Sequence, residues 1–268
     1  MDVGVMESVQ MDTQGRVISL FMKTEKGLPL SRPRDGKFLL RARFGIAGDA
    51  NAGGVGPRQV LLVALETLQA FKLQPGDLRE NVVVAGLPLD DLPSGSVLQF
   101  GDSATVRLTY HCEVCKYIGT LGVKPIQSLE NQRGFLAVVL TGGVVCEGDP
   151  VRVLSRCYDP VPDQTLDRFL WVVKQIPFGK VMTYKQIVDV LGVSRSYYRV
   201  LPTYMKRVAG QTYPMHRILD SKGCLTPHVD NQRVLLACEG VEINAEEGDG
   251  TGWVDVSVFG WDISGIYY

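Results

Sequence analysis

Apolar and polar positions change their period once along this chain, near Cys157. Before that point short β-branched runs dominate: KFLLRARF, NVVVAG, SVLQFGDSATVRLTY, GFLAVVLTGG and DPVRVL. Each is bounded by Gly, Pro or Asp, the pattern of strands in a barrel or sandwich. One interruption stands out. Val60, Val63, Ala64, Leu68 and Phe71 recur at helical spacing and Pro75-Gly76 ends the segment, which predicts a helix over Gln59 to Phe71. After Cys157 the stretch YDPVPDQ carries two prolines and two aspartates and reads as a linker. Beyond it the period becomes helical. Leu166, Phe169, Leu170 and Val173 share one face of a helix that Asp163 or Thr165 could cap and Pro177-Phe178-Gly179 stops. Thr183 caps a second helix from Tyr184 to about Leu191, Gly192-Val193-Ser194 turns the chain, and a third helix runs to about Val208. Helix, short Gly turn, helix is the helix-turn-helix pattern.

These changes divide the 268 residues into a strand-rich domain over 1–157, a linker over 158–164, a helical domain over 165–243 and a tail over 244–268. With 45% hydrophobic and 21% charged residues the chain is no disordered polyelectrolyte, and it is long enough for two cores. The longest apolar run, around Gln59 to Leu65, is broken by Glu66 and is far short of the ~20 apolar residues a bilayer span needs, so no membrane partner is expected. Six cysteines are too sparse for a disulfide scaffold, and the opening MDVGVMESVQ lacks the basic-then-apolar order of a secretory signal. Both features predict free thiols in a reducing, cytoplasmic setting.

Charge changes the picture further. The total of 28 Lys+Arg against 29 Asp+Glu is near zero, but residues 164–240 hold 11 basic against 5 acidic residues, a net of +6. Residues 241–268 hold 6 acidic residues and no Lys or Arg. A basic module followed by an acidic tail points to an anionic partner for the module, and the tail's acids could shield the same face.

Candidate chemistry in the first half lies in three blocks. Gly48-Asp49-Ala50-Asn51 opens a Gly-rich loop leading to Arg58; Glu80-Asn81 precedes a strand; Cys112-Glu113-Val114-Cys115 follows one. A Gly-rich loop exposes backbone N–H groups, and Arg58 could add a fork for an anion. Asp49, Arg58 and Asn81 equally suit the bracing of loops. Cys115 lies beside Lys116 and close to His111, whose charge would favour the thiolate that carries sulfur or binds soft metal. No second CxxC and no HxxxH is present, so a zinc site is not expected.

The order GIAGDANAGG, RQVLLVALETL, LRENVVVAGLPL, SGSVLQFGDSATVRLTYHCEVC, from about Phe44 to Leu154, resembles the MOSC domain, named for the C-terminal domain of molybdenum cofactor sulfurase. The resemblance implies a β-barrel whose hallmark cysteine is Cys115, serving either as a persulfide carrier or as a ligand of molybdenum in a pterin cofactor. Asp49, Arg58, Asn81 and Lys116 would then be the cofactor-binding residues, and a cysteine desulfurase the sulfur donor. The loop that often reads G-D-x-H in that family has Asn51 in place of the histidine.

From Leu166 to Val241 the blocks FLWVVKQIPFGKVMTYKQIVDVLG, RVLPTYMKR, YPMHRILDSKGCL and NQRVLLACEGV resemble the winged helix-turn-helix DNA-binding domain of O6-alkylguanine-DNA alkyltransferases and alkyltransferase-like proteins. In those enzymes a P-C-H-R-V block carries the alkyl-accepting cysteine; here it reads Pro214-Met215-His216-Arg217-Ile218. A thioether has no proton to lose and cannot become the thiolate nucleophile, so alkyl transfer to this residue is excluded. The resemblance assigns Tyr184 to the phosphate of an everted nucleotide and Arg199 to the space the base leaves. It makes Met215, His216, Arg217 and Glu239 the base pocket. Lys185, Arg195, Lys206 and Arg207 supply phosphate contacts, with the salt dependence such contacts bring. Pro202 stands inside the third helix, where it removes a backbone hydrogen bond and predicts a kink.

In the tail, Val254, Val256 and Val258 alternate with Asp255 and Ser257, which predicts a strand, docked on the first domain by Trp253, Phe259, Trp261, Tyr267 and Tyr268. Three readings of function follow. A sulfur carrier, or sulfur transferase, acting through Cys115 is coupled to a base-flipping domain that binds nucleic acid, DNA rather than RNA. Alternatively a non-catalytic sensor recognises alkylated or modified bases in DNA repair. In the third reading a molybdenum-cofactor oxidoreductase uses the second half as scaffold.

Overall fold

The computed structural model describes residues 14–244 and 252–268. The described residues form two compact units, 14–52 with 60–159, and 53–59 with 160–244 and 252–268.

The first unit is strand-rich. Its elements are β1 (Gln14–Leu20), β2 (Lys37–Arg41), β3 (Gly45–Ile46), β4 (Val60–Ala64), α1 (Leu65–Ala70), β5 (Val82–Ala85), β6 (Ser96–Phe100), β7 (Ala104–His111), α2 (Lys116–Thr120), β8 (Phe135–Thr141), β9 (Gly143–Cys146) and β10 (Pro150–Cys157). Seven of these strands close a barrel in the order β1-β10-β6-β7-β8-β4-β5, and β3-β2-β9 form a separate three-stranded sheet. Neighbours in the barrel are antiparallel except β4 and β5. Closure removes the unpaired edges that would otherwise recruit another strand. The interior is filled by alternating residues such as Leu62, Val84, Leu98, Phe100, Val106, Leu108, Phe135 and Val151.

The predicted helix over Gln59 to Phe71 is corrected: Val60–Ala64 is the strand β4, and only Leu65–Ala70 is helical. All five residues of β4 are buried because it pairs with β5 on one side and β8 on the other. A strand buried on both faces reads as a continuous apolar run, which periodicity does not separate from a buried helix.

The second unit contains α3 (Thr165–Gln175), β11 (Met182–Thr183), α4 (Tyr184–Leu191), α5 (Leu201–Arg207), β12 (Ile218–Leu219), α6 (Gln232–Cys238) and α7 (Val256–Phe259). Strands β11 and β12 pair in parallel. Thr183 caps α4 with a capping box: its side chain accepts from Gln186 N while the Gln186 side chain accepts from Thr183 N. Gly192, left-handed at φ 65°, ends the helix. The N-cap of α3 is Gln164, not Asp163 or Thr165, and it makes no side-chain cap bond. Arg168 does that work differently. Fully buried, it donates through Nη1 to the carbonyls of Pro162 at 2.8 Å and Asp163 at 2.7 Å, fixing the end of the linker. At the linker's start Arg107 Nη2 donates to Asp159 O at 2.7 Å.

The third predicted helix is also corrected. A 3-10 turn over Arg195–Arg199 follows the Gly192 turn, and α5 starts afresh at Leu201. Pro202 sits in the first turn of α5, where its missing N–H has no intrahelical partner to lose, so it starts a helix rather than kinking one. The tail differs as well. Residues 256–259 form a helix, capped by Asp255, whose side chain accepts from Ser257 N. The bonding potential of Trp253 goes to Cys224 and Asn244 as isolated bridges. The described tail packs within the second unit: Val254 joins the cluster of Val181, Leu219, Leu236 and Val241, and Tyr267 Oη donates to Val190 O at 2.7 Å. Glu246, Glu247 and Asp249, half of the tail's acids, lie outside the described residues.

Candidate functional site

In the second unit the P-M-H-R-I block forms a 3-10 turn over Met215–Arg217 leading into β12, and α6 brings Glu239 to it at the helix C-cap. The carboxylate of Glu239 is gripped from several directions. Arg217 Nε donates to Oε2 at 2.9 Å and Nη2 to Oε1 at 2.7 Å; Gly179 N donates to Oε2 at 3.0 Å. His216 Nε2 lies 2.7 Å from Oε1. Burial pushes the Glu239 pKa up, but the bonds from Arg217, His216 and Gly179 outweigh it and hold the carboxyl at about 2. An ionised carboxylate only accepts, so His216 Nε2 carries the proton in this contact. Arg217 Nη1 also donates to Ile176 O at 2.7 Å, tying the Ile176–Gly179 loop to the same cradle.

Met215 is 9% exposed. Tyr184, the first residue of α4, is 8% exposed, with its hydroxyl 3.5 Å from Met205 Sδ on α5. Burial is the main reason its pKa is pushed up to about 12, so the phenol remains a donor. Arg195, Arg199, Lys206 and Arg207 are exposed along the 3-10 turn and α5. Lys185 is exposed but engaged in an i,i+4 ion pair with Asp189 at 2.9 Å. Such a surface pair contributes about 0.3–0.5 kcal/mol and can yield to a phosphate. Sequence reasoning passed over Phe178, treated there only as a helix stop. It is 70% exposed, with the Arg217 guanidinium 5.8 Å from its ring centre, and no periodicity signals such an exposed aromatic.

In the first unit Cys115 is exposed and forms the N-cap of α2, with Lys116 exposed in the first turn. His111 turns its ring onto Phe135, with centroids 3.9 Å apart, and its Nε2 lies 3.4 Å from the Asp90 carbonyl. The other expected ligand residues are placed as braces. Asn81 accepts from Leu61 N at 3.0 Å and donates to Phe21 O at 3.2 Å, tying β4 to the end of β1. Asp49 accepts from Lys23 N and Asn51 N, both at 2.8 Å, and so closes its own loop. Arg58 belongs to the second unit, where its Nε donates to Gly192 O at 2.5 Å at the end of α4. The Gly-rich loop is therefore partly a brace of the helix-turn-helix: a Cβ on Gly56 would stand 2.6 Å from Asp189 O. With Asp49 closing its own loop and Asn81 and Arg58 bonded to backbone, these three residues do not fit a molybdenum-pterin group. Among the described residues no cluster of three or more His, Cys, Asp or Glu could hold a metal ion, and no helix is long and apolar enough to cross a membrane.

A closed barrel with an exposed cysteine, joined to a helix-turn-helix unit with a histidine–glutamate–arginine cradle, defines a two-module protein. Residues 55–152 match the MOSC domain, and residues 165–241 match the DNA-binding domain of 6-O-methylguanine DNA methyltransferase. The chain thus carries a region that matches the MOSC domain, followed by one that matches that DNA-binding domain. A DNA base-flipping protein from Escherichia coli K12 is 28% identical over 103 residues, 37% of this chain and 76% of that protein. A methylated-DNA--protein-cysteine methyltransferase from Saccharolobus solfataricus is 36% identical over 102 residues, 36% of this chain and 64% of that protein. The crystal structure of S. pombe Atl1 in complex with damaged DNA containing O6-carboxymethylguanine is 28% identical, covering 37% of this chain and 94% of that one at a TM-score of 0.34.

Proposed function

We propose that the second unit binds DNA and everts a base without transferring its alkyl group, and that the barrel carries sulfur on Cys115. The observation that carries the DNA half is the cradle: Glu239 is hydrogen-bonded by both His216 and Arg217, next in the chain to Met215, a buried residue that has no acidic proton. Such a site can recognise a base but cannot take its alkyl group as a thiolate would. Base eversion costs a few kcal/mol. Arg199, exposed at the end of the 3-10 turn, would fill the vacated stack, and Arg195, Lys206 and Arg207 would hold the phosphates. Similarity to a protein named for base flipping supports this reading. Tyr184 would meet the backbone of the everted nucleotide only at the edge of its ring, because its hydroxyl faces Met205.

On the barrel, an exposed thiol at the start of α2 suits exchange of a sulfane sulfur with a donor protein, for which a cysteine desulfurase has the right chemistry. The two halves are tested separately. A duplex with O6-methylguanine beside 2-aminopurine should brighten on binding, and Arg199→Ala should abolish that signal; a wild-type chain that binds neither DNA nor RNA sinks the base-directed reading. Mass spectrometry after incubation with a cysteine desulfurase and cysteine should find a persulfide on Cys115; its absence removes the carrier role. A second reading, a sensor with no chemistry, is favoured by Met215 alone and would stand if the first experiment succeeds and the second fails.

A further inference from the structure

The barrel holds a second thiol three residues before Cys115. Cys112 is 3% exposed, and Arg133 Nη1 donates to its Sγ at 2.7 Å and to Glu113 O at 2.6 Å. Arg133 is itself 8% exposed, and its Nε has no hydrogen-bond partner. A guanidinium does not give up its proton, and a buried cation without an anion costs several kcal/mol. No carboxylate among the described residues pairs with Arg133; its partners are one carbonyl and one sulfur. The thiolate is the form of Cys112 that balances this charge.

We infer that Cys112 is the resolving thiolate for sulfur carried on Cys115. This rests on the carrier reading of Cys115 proposed above. Burial shields Cys112 from large donors, so it reacts from within the protein, whereas exposed Cys115 meets the donor. Residues 112–115 form an irregular link between β7 and α2. Even fully extended, such a link holds the two Cα atoms within about 11 Å. Closing them to the roughly 4.4–6.8 Å of a disulfide needs only local backbone movement.

The steps balance. The Cys115 thiolate attacks a sulfane sulfur of the donor; the donor's S–S bond breaks and the donor leaves as a thiolate. The resulting persulfide, in its protonated form, is attacked at Cys115 Sγ by the Cys112 thiolate. A Cys112–Cys115 bond forms, the bond to the outer sulfur breaks, and that sulfur leaves with the electron pair and its proton as hydrosulfide. The two cysteines are oxidised to a disulfide and the outer sulfur is reduced. A dithiol reductant returns both thiols.

The test uses the full-length protein and inorganic polysulfide, with intact-mass and peptide analysis. Wild type should release one hydrosulfide per chain and lose about 2 Da, with Cys112 linked to Cys115. Cys112→Ser should retain about 32 Da on Cys115. Arg133→Met should slow hydrosulfide release about tenfold or more, and Arg133→Lys should restore most of the rate. If wild type keeps the added sulfur on Cys115 as Cys112→Ser does, Cys112 is not the resolving thiol while the carrier role stands. If neither protein gains sulfur, the carrier reading falls and this inference falls with it.

Discussion

Arg217 grips Glu239 through both carboxylate oxygens, Nε to Oε2 at 2.9 Å and Nη2 to Oε1 at 2.7 Å, while His216 takes a second place on Oε1. The pair sits where α6 meets the Met215–Arg217 turn, so it is a strut of the second unit. The folded carboxyl, at about 2, lies below its ordinary value of 4.5. Its stabilising contribution is therefore complete above pH 4.5 and is lost as pH falls from 4.5 toward 2. Thermal unfolding followed between pH 2 and 6 should show this loss in wild type, and Glu239→Gln should be less stable at neutral pH and flatter across that window. An unchanged melting temperature in Glu239→Gln at pH 7 would contradict the strut.

The proposed phosphate contacts predict a salt signature. Lys206→Ala and Arg207→Ala should each weaken binding of duplex DNA about equally for damaged and undamaged sequences. Each should reduce the slope of log affinity against log salt by about 1. Arg199→Ala should instead lower the preference for the lesion. The measurement is fluorescence anisotropy at several salt concentrations; a lesion preference unchanged in Arg199→Ala would argue against insertion of that side chain.

Gly56 touches the end of α4 so closely that an alanine there would push its Cβ to 2.6 Å from Asp189 O. Backbone does not move aside cheaply, so Gly56→Ala should destabilise the second unit by about 1–3 kcal/mol. Arg58→Ala, which loses the bond to Gly192 O, should cost about 1 kcal/mol. Chemical denaturation reads both, and neither should alter persulfide formation on Cys115.

The tail is structural where it is described. Tyr267 is fully buried, stacks on Trp171 at 5.7 Å between centroids and donates to Val190 O. Tyr267→Phe should cost about 1 kcal/mol and Tyr267→Ala about 3–5 kcal/mol. A chain ending at Val241 should therefore unfold more easily, which makes charge-neutralising changes at Glu246, Glu247 and Asp249 the better test of shielding. Tighter DNA binding in that triple variant is the expected result if the acids cover the basic face; equal or weaker binding would end the idea.

The sequence by itself determined the order of modules, because strand alternation and helical period are local patterns written by side chains that must face one core. It also determined that Met215 cannot act as a thiolate, since that is a property of the atom, whatever surrounds it. The cap at Thr183 was legible for the same reason: a capping side chain bonds within its own first turn. Only the tertiary structure decided what depended on partners distant in sequence. Val60–Ala64 became a strand because β5 and β8 flank it, 20 and 75 residues away in register. Asn81 became a brace because the ends of β1 and β4 meet there, and Arg58 became a partner of Gly192, 134 residues on. Val256–Phe259 chose helix over strand because Asp255 caps it and Trp253 takes the neighbouring ladder bonds. The contact of Arg133 with Cys112 belongs to the same class. A buried charge must find its counter-charge wherever the fold brings one, and no spacing in the sequence records which one that is.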